Sequence, residues 1–271
     1  MIYLVATPIG NLEDITLRAV RVLHECDAVY AEDTRHTLGL LNHLELKKPL
    51  FSCHEHNERE RAAEVVMRSQ QGEHIAVVTD AGMPGISDPG AAVVQAAILA
   101  GEPFTVLPGA SAVLTAAVLS GLPCGRFCFE GFLPREKKER KARLQALKAE
   151  RRTAVLYESP LRLAATLAEL CAQLGDRPAA VCRELTKLHE ECVRGPLSAL
   201  AEHFKEGARG ECVIVLGGAE EAAEEAPGLS EQLAAMQQAV AGGEKPRAAA
   251  KRIARGMSAS ALYNEFVKSE R

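Results

Sequence analysis

Thr79-Asp80-Ala81-Gly82-Met83-Pro84-Gly85-Ile86-Ser87-Asp88-Pro89-Gly90 separates two apolar segments of different period. Ahead of it, His74-Ile75-Ala76-Val77-Val78 reads as a buried strand, since β-branched residues follow one another without a polar alternate. Behind it, Val93, Val94, Ala97 and Ile98 recur at helical spacing over residues 91–100. Three glycines, two prolines and two aspartates occupy the twelve positions between. Glycine lets a backbone approach a ligand closely, and proline sets the loop's shape beforehand. A strand, loop and helix in this order put backbone groups at the carboxyl end of a parallel sheet, where open α/β folds bind ligands. An ordinary tight βα connection has a similar length, so the flanking chain decides between the two.

Working outward, residues 2–6 read as a first strand and Thr7-Pro8-Ile9-Gly10-Asn11 as a tight loop. Asp14 then caps a helix with Ile15, Leu17, Val20, Val22 and Leu23 on its apolar face. A strand over 28–31 ends in the polar cluster Glu32-Asp33-Thr34-Arg35. A helix over 35–44, a strand over 50–53 and a helix over 57–71 lead to the central loop. Beyond it, a strand over 104–107 runs into Pro108-Gly109-Ala110-Ser111-Ala112 and a helix over 113–120. This alternation predicts an α/β lobe over residues 1–120, its parallel sheet covered on both faces.

Residues 121–125 punctuate the chain, and a second α/β lobe is expected over 126–217. It comprises a strand over 126–131, a basic helix over 137–150, a strand over 153–157 and a helix over 161–174. Paired strands over 179–184 and 190–194, a helix over 197–204 and a strand over 212–216 complete it. Residues 218–227 are acidic and of low complexity, which reads as a flexible linker. Residues 228–271 hold three short helices, the last two joined by Arg255-Gly256-Met257-Ser258 in the manner of a helix-turn-helix.

The chain has 271 residues, of which 47% are hydrophobic and 25% charged, enough for two domains with ordinary cores. No apolar run reaches transmembrane length and the start lacks a signal peptide's basic residues, so a cytoplasmic protein is expected. The eight cysteines include no C-x-x-C pair and most lie in apolar runs, as buried reduced thiols do. Cys53-His54-Glu55-His56 does not predict a metal site, because neighbours in extended chain face opposite ways and no second ligand pair follows. Net charge is −4, yet residues 135–152 carry nine basic and three acidic residues, and 245–255 carry five basic residues and no acid. These are two local footprints for a polyanion, or two solvated helix faces.

The sequence has no G-x-x-x-x-G-K-[ST], no G-x-G-x-x-G after the first strand and no G-x-S-x-G. Glycine-proline loops at strand ends remain: 7–11, 80–90 and 108–112. A mouth built of backbone suits a zwitterionic, partly apolar cofactor better than a polyphosphate.

ATPIGNLEDITLRA (6–19), AEDTRHT (31–37), HEHNE (54–58), TDAGMPGISDPG (79–90), LPGASA (107–112), FEGFLP (129–134), YESPLRL (157–163) and RELTK (183–187) resemble the tetrapyrrole-methylase superfamily. Within it they are similar to the branch that methylates the ribose 2′-hydroxyl of a cytidine in small-subunit ribosomal RNA. The resemblance covers residues 2–217, and the tail is similar to that branch's accessory domain. Met83 and Gly85 stand where relatives more often carry threonine and leucine, and Cys53 where an aromatic is expected. The resemblance implies two lobes, a mostly parallel N-terminal sheet, a mixed C-terminal sheet and a small helical module. It also implies S-adenosylmethionine as cofactor, held in a cleft by Pro8, Ile9, Gly82, Met83, Ile86, Ser111 and Ala112, with Tyr157 and Leu185 from the second lobe. A homodimer is expected by the same analogy.

A ribose hydroxyl is a weak acid, so methylating it calls for a base or a nearby cation. Glu32, Asp33, Arg35, His54, Glu158, Glu184 and Lys187 are the candidates, each expected at a strand end facing the cleft. Arg135, Lys137, Lys138, Arg140 and Lys141, with Lys245, Arg247, Lys251, Arg252 and Arg255 in the tail, are the candidate RNA contacts. Two alternatives stay open: a tetrapyrrole C-methyltransferase of the same fold, and a non-catalytic RNA-binding or ribosome-assembly protein.

Overall fold

A computed structural model of the chain describes residues 1–220 and 227–270. Five strands come first: β1 (Ile2–Val5), β2 (Ala28–Ala31), β3 (Leu50–Ser52), β4 (Ile75–Val78) and β5 (Phe104–Leu107). They form one all-parallel sheet in the order β3-β2-β4-β1-β5. Every residue of β2 and β4 is buried because helices cover both faces. On one face Ile2, Leu4, Tyr30, Ile75 and Val77 meet Val65 of α3 (Glu58–Gln70) and Val93 of α4 (Ala91–Ala100). On the other, Val5, Val29, Ala76 and Val78 meet Ala19, Val22 and Leu23 of α1 (Leu17–Glu25). The helix α2 (Thr34–His43) links β2 to β3.

The start of α1 differs from the sequence expectation. Asp14 ends a short 3-10 turn, and the Thr16 side chain caps α1 by accepting the Ala19 N–H at 3.1 Å. The buried face therefore falls on Ala19, Val22 and Leu23, while Leu17 is 90% exposed.

The second sheet contains β6 (Phe127–Phe132), β7 (Thr153–Glu158), β8 (Pro178–Arg183), β9 (Glu191–Pro196) and β10 (Cys212–Leu216), in the order β6-β7-β10-β8-β9. Only β6 and β7 run parallel, so this sheet is mixed. Its far face carries Leu156, Val181, Ile214 and Leu216, packed with Leu147, Leu167 and Leu200 of α6 (Lys137–Ala149), α7 (Leu163–Leu174) and α8 (Leu197–His203). Its near face carries Val155, Ala180, Val213 and Val215, and these bury Val113, Ala116 and Ala117 of α5 (Ala112–Ser120). The helix that follows the first sheet thus docks on the second, ahead of residues 121–125.

Residues Met1–Ala219 form one compact unit and Glu220–Arg271 another. In the latter, α9 (Leu229–Ala241), α10 (Pro246–Ile253) and α11 (Ala259–Ser269) share a core of Met236, Ala249, Ala250, Leu262 and Phe266. Ser258 caps α11 through the Ala261 N–H at 3.1 Å. Within the expected 218–227 linker, residues 221–226 lie outside the described residues. Cys26, Cys53, Cys182 and Cys212 are buried thiols, whereas Cys124 is exposed. No helix among the described residues is long and apolar enough to cross a membrane.

Candidate active site

The chain leaves β1 for β2, returns through β4 and then crosses to β5 on the other side of β1. Between β1 and β4 the winding reverses, which is where a doubly wound sheet opens a crevice at its carboxyl edge. Thr7 and Gly82 pair there: Thr7 N–H donates to Gly82 O at 2.9 Å and Gly82 N–H to Thr7 O at 3.1 Å. The Thr7 hydroxyl also donates to Thr79 O at 3.2 Å. A side chain at Gly82 would sit 3.4 Å from Ile9 and 3.7 Å from Ala110 O, so the loops after β1, β4 and β5 converge on this point. Pro8, Ile9, Gly82, Met83, Ser111 and Ala112 are thereby brought together. Ser111 is also the N-cap of α5.

The 79–90 loop is held from both ends. Gly85 N–H donates to Pro89 O at 3.0 Å, and Glu58 Oε1 accepts from Gly90 N–H at 2.6 Å and Ala92 N–H at 3.0 Å. Gly82, Gly85 and Gly90 have φ of 85°, 82° and 135°, and Ser87 has φ of 64°, a left-handed conformation rare for a residue with a side chain. The outcome is a loop with Pro84, Pro89 and Gly90 buried and Ile86 47% exposed.

The second lobe closes on these loops. Ile9 and Leu185 belong to one apolar cluster, against which Ala81, Ala110, Ala112 and Tyr157 also pack. At Gly10 an added Cβ would lie 2.6 Å from Lys187 Cγ, 2.7 Å from Leu185 O and 2.8 Å from Thr186 Oγ1. The Thr186 hydroxyl accepts the Asn11 N–H at 3.0 Å. A bulge in β6 turns Gly131 toward the Ser87 hydroxyl, 3.6 Å from where its Cβ would stand. Tyr157 is ringed by Phe129 and Phe132, at centroid distances of 5.0 and 5.5 Å. Apolar side chains from both lobes around a glycine-lined backbone fit a cofactor that is apolar in parts and charged in others.

The candidate bases fare differently from one another. Along β7, Val155 packs on the near face and Ala154 and Leu156 on the far one. Glu158 shares the parity of the latter pair and lies under α7, accepting from Arg162 (2.6 Å), the Thr166 hydroxyl (2.7 Å) and Ser159 N–H (2.7 Å). Its side chain is 1% exposed, so the expectation that it faces the cleft is corrected. Asp33 caps α2 and takes a fork of bonds from Arg35, which hold its carboxyl well below the usual range. Arg35 is 89% exposed at the side chain and bound to Asp33. Glu184 is lowered by its 3.0 Å bond to Lys187 and also accepts the Glu211 N–H. Burial opposes the Lys187 charge, but Glu184 and Glu211 outweigh it and its pKa is raised. Glu32 is raised, by burial first and then by Asp80. Among the described residues, no group of His, Cys, Asp and Glu side chains has the arrangement of a metal site.

Three residues escaped the sequence reading. Asp88 is half-buried in this loop with no hydrogen-bond or ion-pair partner among the described residues, and its carboxyl is pushed up to about 7 by burial and by Glu32, Asp80 and Glu211. Glu211 bonds Lys187 at 3.4 Å. Phe132 is 53% exposed beside Tyr157. Asp88 stood within the very loop that drew attention, but its neighbours come from distant parts of the chain.

The basic residues also divide. Arg135, Lys137, Lys138 and Lys141 are exposed with no bonded partner among the described residues. Arg140 does not belong with them: it pairs with Glu169, the Thr166 hydroxyl and Pro134 O, packing α6 against α7. In the tail, Lys245 and Lys251 are exposed, Arg252 pairs with Glu244 at 2.6 Å, Arg247 lies over the Tyr263 ring and Arg255 bonds backbone carbonyls.

A family model described as tetrapyrrole (corrin/porphyrin) methylases matches residues 1–201. The ribosomal RNA small subunit methyltransferase I of Halalkalibacterium halodurans is 43% identical over 98% of this chain and 94% of its own. The protein of the same name from Thermotoga maritima is 47% identical over 80% of this chain and 98% of its own. That from Escherichia coli O157:H7 is 42% identical over 99% and 95%. Among solved structures, uroporphyrin-III C-methyltransferase from Thermus thermophilus, complexed with S-adenosylhomocysteine, superposes with a TM-score of 0.57 at 22% identity, covering 80% of this chain and 96% of that one. Cobalt precorrin-4 methyltransferase gives 0.59 at 19% identity, over 80% and 94%. At such identities the structural likeness concerns the fold alone.

Proposed function

The chain belongs to the tetrapyrrole (corrin/porphyrin) methylase family, and we propose that it is an S-adenosylmethionine-dependent methyltransferase acting on the ribose 2′-hydroxyl of a cytidine in small-subunit (16S) ribosomal RNA. The observation that carries this reading is the convergence of the 7–11, 79–90 and 108–112 loops at the Thr7–Gly82 pair, closed by Leu185 and Tyr157. The long relatives named as small-subunit RNA methyltransferases support the substrate. When bound, S-adenosylmethionine supplies a methyl group on a sulfonium, which is already activated for transfer. Pro8, Ile9, Gly82, Met83, Ile86, Ser111 and Ala112 are the residues we assign to hold it, with Tyr157 and Leu185 across the cleft. Alignment of oxygen, carbon and sulfur then supplies much of the rate.

Arg135, Lys137, Lys138 and Lys141 favour RNA over a tetrapyrrole, because a small pigment needs no exposed cationic helix. We assign the tail's Lys245 and Lys251 to the same task as an accessory module. With aromatics at 4% and no tryptophan, recognition leans on the folded shape of the ribosomal particle. A cytoplasmic location follows from that substrate. The homodimer part of the reading is supported by the outward side of α5, where Leu114 and Val118 are 55% and 72% exposed.

The test is transfer of radiolabelled methyl from S-adenosylmethionine to small ribosomal subunits from cells lacking this protein. Digestion should release the label as 2′-O-methylcytidine. Binding to subunits without transfer would point to the assembly-factor reading, and label on a tetrapyrrole to the pigment reading.

A further inference from the structure

We propose that Phe132 and Asp88 form the subsite for the target nucleotide, Phe132 stacking on the nucleobase and Asp88 receiving the proton of the ribose 2′-hydroxyl. The inference rests on the methyltransferase reading and deepens it.

Gly131 of the β6 bulge meets the Ser87 hydroxyl of the central loop, so the residues that follow them, Phe132 on the strand and Asp88 in the loop, come from opposite lobes to one place. Tyr157 marks that place from both sides. Its ring packs on Phe132, and its hydroxyl is raised to about 12 by burial and then by the charges of Asp88 and Glu211. Phe132 is 53% exposed although its neighbours are apolar, which leaves one ring face for a base. Five residues later the exposed cations of α6 begin at Lys137, so a phosphate track leads to the ring.

Three of the candidate acids fall away, and Asp88 is preferred to Glu32, whose carboxylate already takes the Asp80 backbone N–H. Asp33 and Glu184 are already bonded to cations and are held below their usual range, which makes them weak bases. Glu158 is sealed under α7. Asp88 has no donor among the described residues and lies within the fields of Glu32 and Asp80 of the first lobe and Glu211 of the second, and its own charge reaches Tyr157. Lys187 reaches this ring of acids only through Glu211. A carboxyl pushed up to about 7 is suited to act as a general base at neutral pH. In the step itself, the 2′-oxygen forms a bond to the methyl carbon while the carbon–sulfur bond breaks and its electron pair stays on sulfur. The hydroxyl proton passes to Asp88 and then to water.

The experiment compares wild type, Asp88→Asn and Phe132→Ala on small subunits with labelled S-adenosylmethionine, alongside equilibrium binding of the cofactor and carboxyl titration by difference infrared spectroscopy. Asp88→Asn should lower kcat by about a hundredfold or more with cofactor affinity within threefold. Wild-type kcat should rise with pH through a midpoint near 7, matched by an infrared band that the variant lacks. Phe132→Ala should raise KM for subunits roughly tenfold, and Phe132→Tyr should restore it. Asp88→Asn turning over within threefold of wild type, or an unchanged KM in Phe132→Ala, overturns the proposal. Failure of the wild type to methylate subunits would instead overturn the underlying reading.

Discussion

Glu58 and Gly90 are joined by a 2.6 Å hydrogen bond that ties the first turn of α3 to the end of the central loop. The same oxygen takes the Ala92 N–H, so one carboxylate caps the start of α4 from a different helix. Hydrogen bonds to a charged group contribute about 1.5–3 kcal/mol each when formed. Glu58→Ala should cost about 2 kcal/mol in urea unfolding and weaken S-adenosylmethionine binding through a loosened loop. Unchanged cofactor affinity would show that the loop keeps its shape unaided.

Asp88 makes stability depend on pH in a defined sense. Its folded pKa of about 7 lies above the ordinary carboxylate value of about 4, so between these the folded chain holds a proton that the unfolded chain has lost. The stabilising share is complete below pH 4 and is lost as pH rises through 7. Urea midpoints of wild type should therefore fall relative to those of Asp88→Asn from pH 5 to pH 8. Parallel curves for the two proteins would contradict this.

Glu158 should behave as a structural acid. Replacing it by Ala strands the Arg162 guanidinium and the buried Thr166 hydroxyl, at about 3 kcal/mol. Chemical denaturation measures the loss, while cofactor affinity in the folded fraction should stay within twofold.

The basic helix offers a contrast within one element. Lys137→Ala with Lys141→Ala should flatten the salt dependence of subunit binding by up to two phosphate equivalents and leave the unfolding midpoint alone. Arg140→Ala should do the reverse, since its guanidinium is spent on Glu169, Thr166 and Pro134. Filter binding across a salt series separates the two.

The first lobe was legible because both faces of its strands are covered, so its apolar runs carry little polar alternation. The three loops were legible through their glycines and prolines. Glu158 was misread although strand parity already opposed it to Tyr157, because a strand-end acid in sequence carries no sign of which face the cleft occupies. The partner of α5 was invisible for a simpler reason: a helix apolar all round does not say which sheet it will cover. Arg140 looked like its neighbours until Glu169, on another helix, came into contact with it. Asp88 gained its character only when Glu32 and Glu211 arrived from either side of the cleft.

The bare hydrogen of Gly10 works as a gauge between the two halves of the molecule. Leu185, Thr186 and Lys187 rest against it with no space for a methyl, so a Gly10→Ala change would act as a shim. Each lobe would keep its own interior while the seam widened, and an error of about 1 Å in such an arrangement is enough to cost a hundredfold in rate. The reach between a methyl donor gripped by one half and a sugar presented by the other is thus set by the smallest residue in the chain.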